Sequence, residues 1–152
     1  MRRKDKEIVE IDVIHRILAE ARVCRLAMID GDRPYIVPMC FGYRDNAIYM
    51  HSALKGKKIE VLQRHSEVCF EVDTGVDTLA AEDPCGWSMR YQSVIGFGTA
   101  VFLTAPEEKR AALGIIVSHY SDIAVELPDS KITATAVIRV DIHRMTGKAS
   151  GY

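Results

Sequence analysis

Apolar side chains return at every second position along residues 67–73, where Val68, Phe70 and Val72 are set against Cys69, Glu71 and Asp73. The same period runs through residues 134–143, where Ala136, Ile138, Val140 and Ile142 alternate with Val137, Arg139, Asp141 and His143. An extended strand with one buried face satisfies a period of two, and a helix does not. Turn signals between such segments are short. Gly31-Asp32 joins a strand at 24–30 to a second at 34–43, and Arg44-Asp45-Asn46 leads into a third from Ala47, giving an antiparallel meander. Residues 87–104 are β-rich and carry Gly96 and Gly98, which mark a bulge, a bend or a close approach of another backbone or ligand. Residues 74–84 lose any period and are expected as a surface loop, as are residues 122–131.

Three segments carry helical spacing instead. Ile14, Ile17, Leu18 and Ala21 share a face of a helix over 11–22, and Ile59 and Leu62 do so over 57–64. Pro106-Glu107-Glu108 opens a third helix, to about Tyr120, with Leu113, Ile116, Val117 and Tyr120 inward. Six strands with short links and no βαβ rhythm predict a mainly β fold, a small closed or nearly closed antiparallel barrel with peripheral helices. No G-x-G-x-x-G fingerprint is present, which argues against a Rossmann cofactor site.

Length and charge narrow the functional classes. A chain of 152 residues suits one domain, with residues 1–10 as a polar N-terminal arm. Twenty basic against 21 acidic residues leave no basic excess for binding nucleic acid. No apolar run approaches the roughly 20 residues that span a bilayer, and the charged N-terminus is not a secretory signal. Cys24, Cys40, Cys69 and Cys85 form no C-x-x-C pair and three lie in strand-like apolar runs, so buried thiols in a reducing cytoplasm are expected. His15, His65, His119 and His143 are scattered without ligand spacing, and no metal site is expected.

The stretch Tyr49-Met50-His51-Ser52-Ala53-Leu54-Lys55-Gly56-Lys57-Lys58 begins as a strand and breaks through Ser52 and Gly56 into the second helix. A hydroxyl, a permissive glycine and three lysines at such a junction suit an anionic group, a phosphate above all. On these residues alone a solvated lysine-rich loop is the preferred reading, and His51 is an ordinary strand histidine.

Further motifs accompany it: Pro34-Tyr35-Ile36-Val37-Pro38-Met39, Val68-Cys69-Phe70-Glu71-Val72, Cys85-Gly86-Trp87-Ser88-Met89-Arg90-Tyr91-Gln92-Ser93-Val94 and Met145-Thr146-Gly147-Lys148. In order and spacing they resemble the pyridoxamine 5′-phosphate oxidase-like FMN-binding split-barrel superfamily, in its nitroimidazole-resistance branch. The resemblance implies a six-stranded antiparallel split barrel and a homodimer with FMN in inter-subunit clefts. It implies that Val37, Pro38 and Met39 pass along the flavin ring, and that His51, Ser52 and Ala53 lie beside the ring and ribityl chain. Lys57 and Lys58 would hold the phosphate with Ser93 and Arg90, and Trp87 would cover the flavin or pack in the dimer. The activity implied is reduction of a small nitro-aromatic compound, nitro group to amine, with His51 as catalytic hydrogen-bond or proton donor. A non-catalytic flavin store or sensor, and a haem- or deazaflavin-binding relative, are the alternatives.

Overall fold

A computed structural model describes residues 3–123 and 126–152. A 3₁₀ turn at Lys4–Lys6 leads into β1 (Glu7–Ile8), whose residues pair with Lys148 and Gly147 near the end of the chain. The described part of the N-terminal arm is thus joined to the sheet: Ile8 is buried and Lys6 Nζ donates to Ser150 Oγ at 2.7 Å. Helix α1 (Ile11–Glu20) follows and buries Ile14, Ile17 and Leu18, the face its spacing predicts.

The meander begins as expected. β2 (Cys24–Asp30) and β3 (Arg33–Met39) pair antiparallel across Gly31, which turns at φ +68. The single strand expected over 34–43 is two strands. After Cys40 the chain restarts as β4 (Phe41–Arg44), which pairs with β5 (Ala47–Ala53) and not with β2. Met39 and Phe41 are both buried, so apolar alternation runs straight through the break and leaves no mark of it.

Helix α2 (Lys57–Arg64), β6 (Glu67–Leu79), β7 (Ser88–Leu103), α3 (Pro106–Tyr120), α4 (Asp129–Thr133) and β8 (Thr135–Ser150) complete the chain. The sheet order is β3-β2-β6-β7-β8-β5-β4, with β1 added to β8. That order corrects the expected six-stranded split barrel. The sheet has eight strands, and it is open: β3 and β4 end the path, and among the described residues no ladder joins them. Alternation reports that one face of a strand is buried; an open twisted sheet and a closed barrel share that property, so closure was not legible in it.

Two expected loops are also corrected. β6 continues to Leu79, slips register between Thr74 and Asp77 around Gly75 (φ +62), and pairs again with Asp77 opposite Arg90 and Leu79 opposite Ser88. Neither face of this extension is buried within the chain, so its sequence has no reason to alternate. The 122–131 segment contains the start of α4, while residues 124 and 125 lie outside the described ones. Likewise β8 runs past His143 to Ser150, through Thr146, Gly147 and Lys148, which break the apolar pattern.

Phe41, Phe70, Leu26, Ile48, Met50 and Ile138, all fully buried, belong to the main core. Gly96 and Gly98 behave as strand glycines are expected to. A Cβ on Gly96 would lie 2.1 Å from the Phe70 ring, and the β7–β8 register slips between Phe97 and Gly98. Helix α3 packs on β4 and β5 through Ala112, Ile115 and Ile116, which are buried; Leu113, Val117 and Tyr120 are only partly so.

Candidate functional site

Beyond Ala53 the chain leaves β5 through exposed Leu54 and Lys55 and enters α2 at Gly56, the N-cap, with φ +133. Among the described residues no side chain caps the helix. The first-turn N–H groups of α2 therefore face outward at the positive end of its dipole. Space above Gly56 is open: a Cβ there would meet nothing within 4 Å.

The two lysines after Gly56 differ. Lys57 Nζ lies 2.9 Å from Asp30 Oδ2 and 4.9 Å from the Tyr35 ring centroid, and Arg64 shares the same carboxylate at 2.9 Å. The hydrogen bond from Lys57 is the main cause holding the Asp30 carboxyl below its ordinary range. Lys58, by contrast, is half-buried; its Nζ donates to Met39 Sδ at 2.9 Å, and it makes no ion pair among the described residues. Burial lowers its pKa, as expected for an ammonium removed from water without a carboxylate.

Contact between Lys58 and Met39 brings the α2 turn to β3. On β3, Val37 packs against the main core and Met39 is buried in it, while Pro38 points to the opposite face beside Arg25. On β5, His51, Ser52 and Ala53 pair with Val137, Ala136 and Thr135 of β8. His51 and Ala53 are exposed, and the His51 ring makes no hydrogen bond among the described residues. The remaining candidates stand elsewhere on the sheet. Trp87, 56% exposed, caps the β6–β7 hairpin with Nε1 donating to the Ala81 carbonyl at 2.8 Å. Arg90 is paired with Asp77 at 3.0 Å, and Ser93 is buried opposite Lys148. Among the described residues no hydrogen bond or ion pair ties Trp87, Arg90 or Ser93 to the α2 turn.

The outer face of the sheet holds a group that spacing did not reveal. Pairing aligns Pro38, Arg25, Glu71, Ile95 and Thr146 in one row across five strands. Arg25 Nη1 reaches Glu71 Oε2 at 2.9 Å and Asp73 Oδ1 at 2.5 Å. Burial pushes the Glu71 carboxyl up, and the bond from Arg25 opposes it. The two acids read as solvated strand carboxylates in sequence; the available signal was Arg25, a lone cation between Cys24 and Leu26. Around this row Ile36, Ile95 and Phe97 are 60%, 43% and 40% exposed, and a cavity of about 290 Å³ opens beside Ala27, Pro34, Cys69 and Phe97.

Cysteine exposure departs from expectation. Cys24 is buried and its thiol is pushed up to about 12 by desolvation, but Cys40 and Cys85 are exposed. All four are free thiols. Among the described residues no three His, Cys, Asp or Glu side chains are grouped to hold a metal ion, and no helix is long and apolar enough to cross a membrane.

Comparison with known proteins gives this geometry a family. A candidate 5-nitroimidazole antibiotic resistance protein from Bacteroides thetaiotaomicron is 35% identical, with a TM-score of 0.85 over 94% of this chain and 86% of that one. The fold is shared at 18% identity by a flavocytochrome from Azotobacter vinelandii (TM-score 0.86, 100% of this chain and 72% of that one). An FAD- and haem-binding protein from Mycobacterium smegmatis is also 18% identical (TM-score 0.84, 97% and 74%). Comparison with curated proteins returns no match. The sequence profile described as pyridoxamine 5′-phosphate oxidase matches residues 10–149, almost the whole sheet and every helix, and the chain belongs to that family.

Proposed function

We propose that this chain is an FMN-dependent oxidoreductase that reduces a small nitro-aromatic compound. The observation that carries the reading is Lys58, a half-buried ammonium with no carboxylate partner among the described residues, beside an uncapped helix start. That donor set fits a phosphate monoester, which brings about two negative charges and three acceptor oxygens. Lys58 and the α2 N–H groups would hold the phosphate, with Lys57 sharing it when Asp30 is released. The β3 residues Val37, Pro38 and Met39 and the β5 residues Ser52 and Ala53 would border the ring and its chain. Ser93, Arg90 and Trp87, on β7 and its hairpin, would serve the cofactor across a homodimer cleft, Arg90 and Ser93 toward the phosphate.

Bound there and reduced each time by an external two-electron donor, FMN would supply two-electron transfers, three of which with six protons turn a nitro group into an amine and two waters. His51, exposed on β5, would hydrogen-bond the substrate or deliver one of those protons. A reducing cytoplasm suits the four free thiols. The 35% identical relative named for 5-nitroimidazole resistance supports this substrate class.

Reconstituted protein, reduced anaerobically and mixed with a 5-nitroimidazole, should regain the oxidised flavin spectrum faster than without it. Equal rates would leave a flavin store instead, and a Soret band on purification would leave a haem protein. His51→Ala should retain FMN and slow this reoxidation about 10²-fold or more; an unchanged rate would remove His51 from the chemistry.

The exposed apolar outer face supports the homodimer. Ile36, Ile95 and Phe97 stand around the Arg25–Glu71–Asp73 cluster, an apolar area with a satisfied polar centre. Phe97→Glu, which in a two-fold interface acts twice, should convert the dimer to monomer in analytical ultracentrifugation. A variant sedimenting like the parent dimer would move the interface elsewhere.

A further inference from the structure

Away from this site, a cavity of about 320 Å³ lies between α3 and α4, lined by Thr104, Glu107, Lys109, Arg110, Asp129 and Thr133 among others. Two independent features point into it. The first is the start of α3, whose N-cap is Ala105 and carries no side-chain cap. Pro106 has no N–H, so the amides of Glu107 and Glu108 are the free donors at that helix end. The second is Lys109, only 9% exposed, which makes no side-chain hydrogen bond or ion pair among the described residues. Lys109 lines the cavity, and since no side-chain nitrogen or oxygen is both sealed from solvent and unpartnered among the described residues, its ammonium is reached by solvent and not held by a protein group.

The other charges sort themselves. Arg110 is occupied, donating to the Leu127 carbonyl at 2.5 Å and to the Asp129 carboxylate, which it neutralises. Those bonds also fix α4 against α3 and hold the cavity in shape. Thr133 Oγ1 is turned back to the Asp129 carbonyl. Lys109 and the two amides remain as donors without a protein partner among the described residues, and with Asp129 held by Arg110 the Glu107 carboxylate is the opposing charge left in the lining.

We propose that this cavity is a second binding site, for a small oxyanion: the carboxylate or phosphate of a small molecule, held by Lys109 Nζ and the Glu107 and Glu108 amides. It is separate from the α2 turn and does not depend on the flavin reading. Two probes, inorganic phosphate and acetate, distinguish the two oxyanion types. Titrating each into uniformly ¹⁵N-labelled full-length Lys58→Met protein removes the α2 lysine from the result. The Glu107 and Glu108 amide resonances should shift and saturate with at least one probe. Lys109→Met should weaken that response at least tenfold, and Glu107→Gln should strengthen it by removing the opposing charge. Unmoved amides, or a response equal in Lys109→Met, would overturn the site, and should that variant fail to fold, a Glu107→Gln response weaker than the parent's would do so.

Discussion

Lys58→Met should weaken FMN binding by about 10- to 150-fold, the loss expected when a charge-assisted bond of about 1.5–3 kcal/mol is removed. Methionine keeps most of the stem that packs by Met39, so the fold has no reason to change. Stability follows in sign as well. Burial lowers the Lys58 pKa below its ordinary 10.5. Between the folded value and 10.5 the unfolded chain binds more protons, so the parent gains stability as pH rises through that window. Below the window, the variant loses a charge that burial disfavours and should melt no lower than the parent. Lys57→Met should have the smaller effect on FMN, because its ammonium is already engaged by Asp30. Flavin fluorescence quenching reads both affinities; a Lys57 effect larger than the Lys58 effect would reverse the assignment.

The second large effect lies in the core. Gly96→Val should destabilise the protein by about 1–3 kcal/mol or more. The added Cβ would sit 2.1 Å from the ring of Phe70, which is fully buried. Phe70→Ala should cost about 3–5 kcal/mol alone, through lost burial and the cavity left behind. The double variant then gives the decisive comparison, because valine at 96 occupies part of that cavity. It should be more stable than the sum of the two losses predicts. Urea denaturation measures all three. Strict additivity would mean that Gly96 and Phe70 do not meet.

The stretches that were legible in sequence bury one face within the chain itself. Residues 24–30 and 57–64 form the strand and helix their spacing predicts, because Leu26 and Met28, and Ile59 and Leu62, are buried. The extension of β6 over 74–79 was missed for the converse reason: Asp77 and Thr78 are solvent-facing in one chain, so no period records their pairing with Arg90 and Met89. Strand ends joined by a single residue, as β3 and β4 are at Cys40, look identical whether the sheet closes or stays open. The parts of the candidate α2 turn, Ser52, Gly56, Lys57 and Lys58, could be grouped from sequence because they are local. Asp30 was not, since its hold on Lys57 spans 27 positions of sequence and arises only when β2 packs near α2. The same holds for Arg25 with Glu71 and Asp73, where strand pairing creates the cluster.

The anchoring of a phosphate by the α2 turn is tested most directly by comparing FMN with riboflavin, which differ only in that group. Fluorescence titration of the unaltered protein should show FMN bound at least about tenfold more tightly, with the difference abolished in Lys58→Met. Equal affinity of the parent protein for the two flavins would contradict the account.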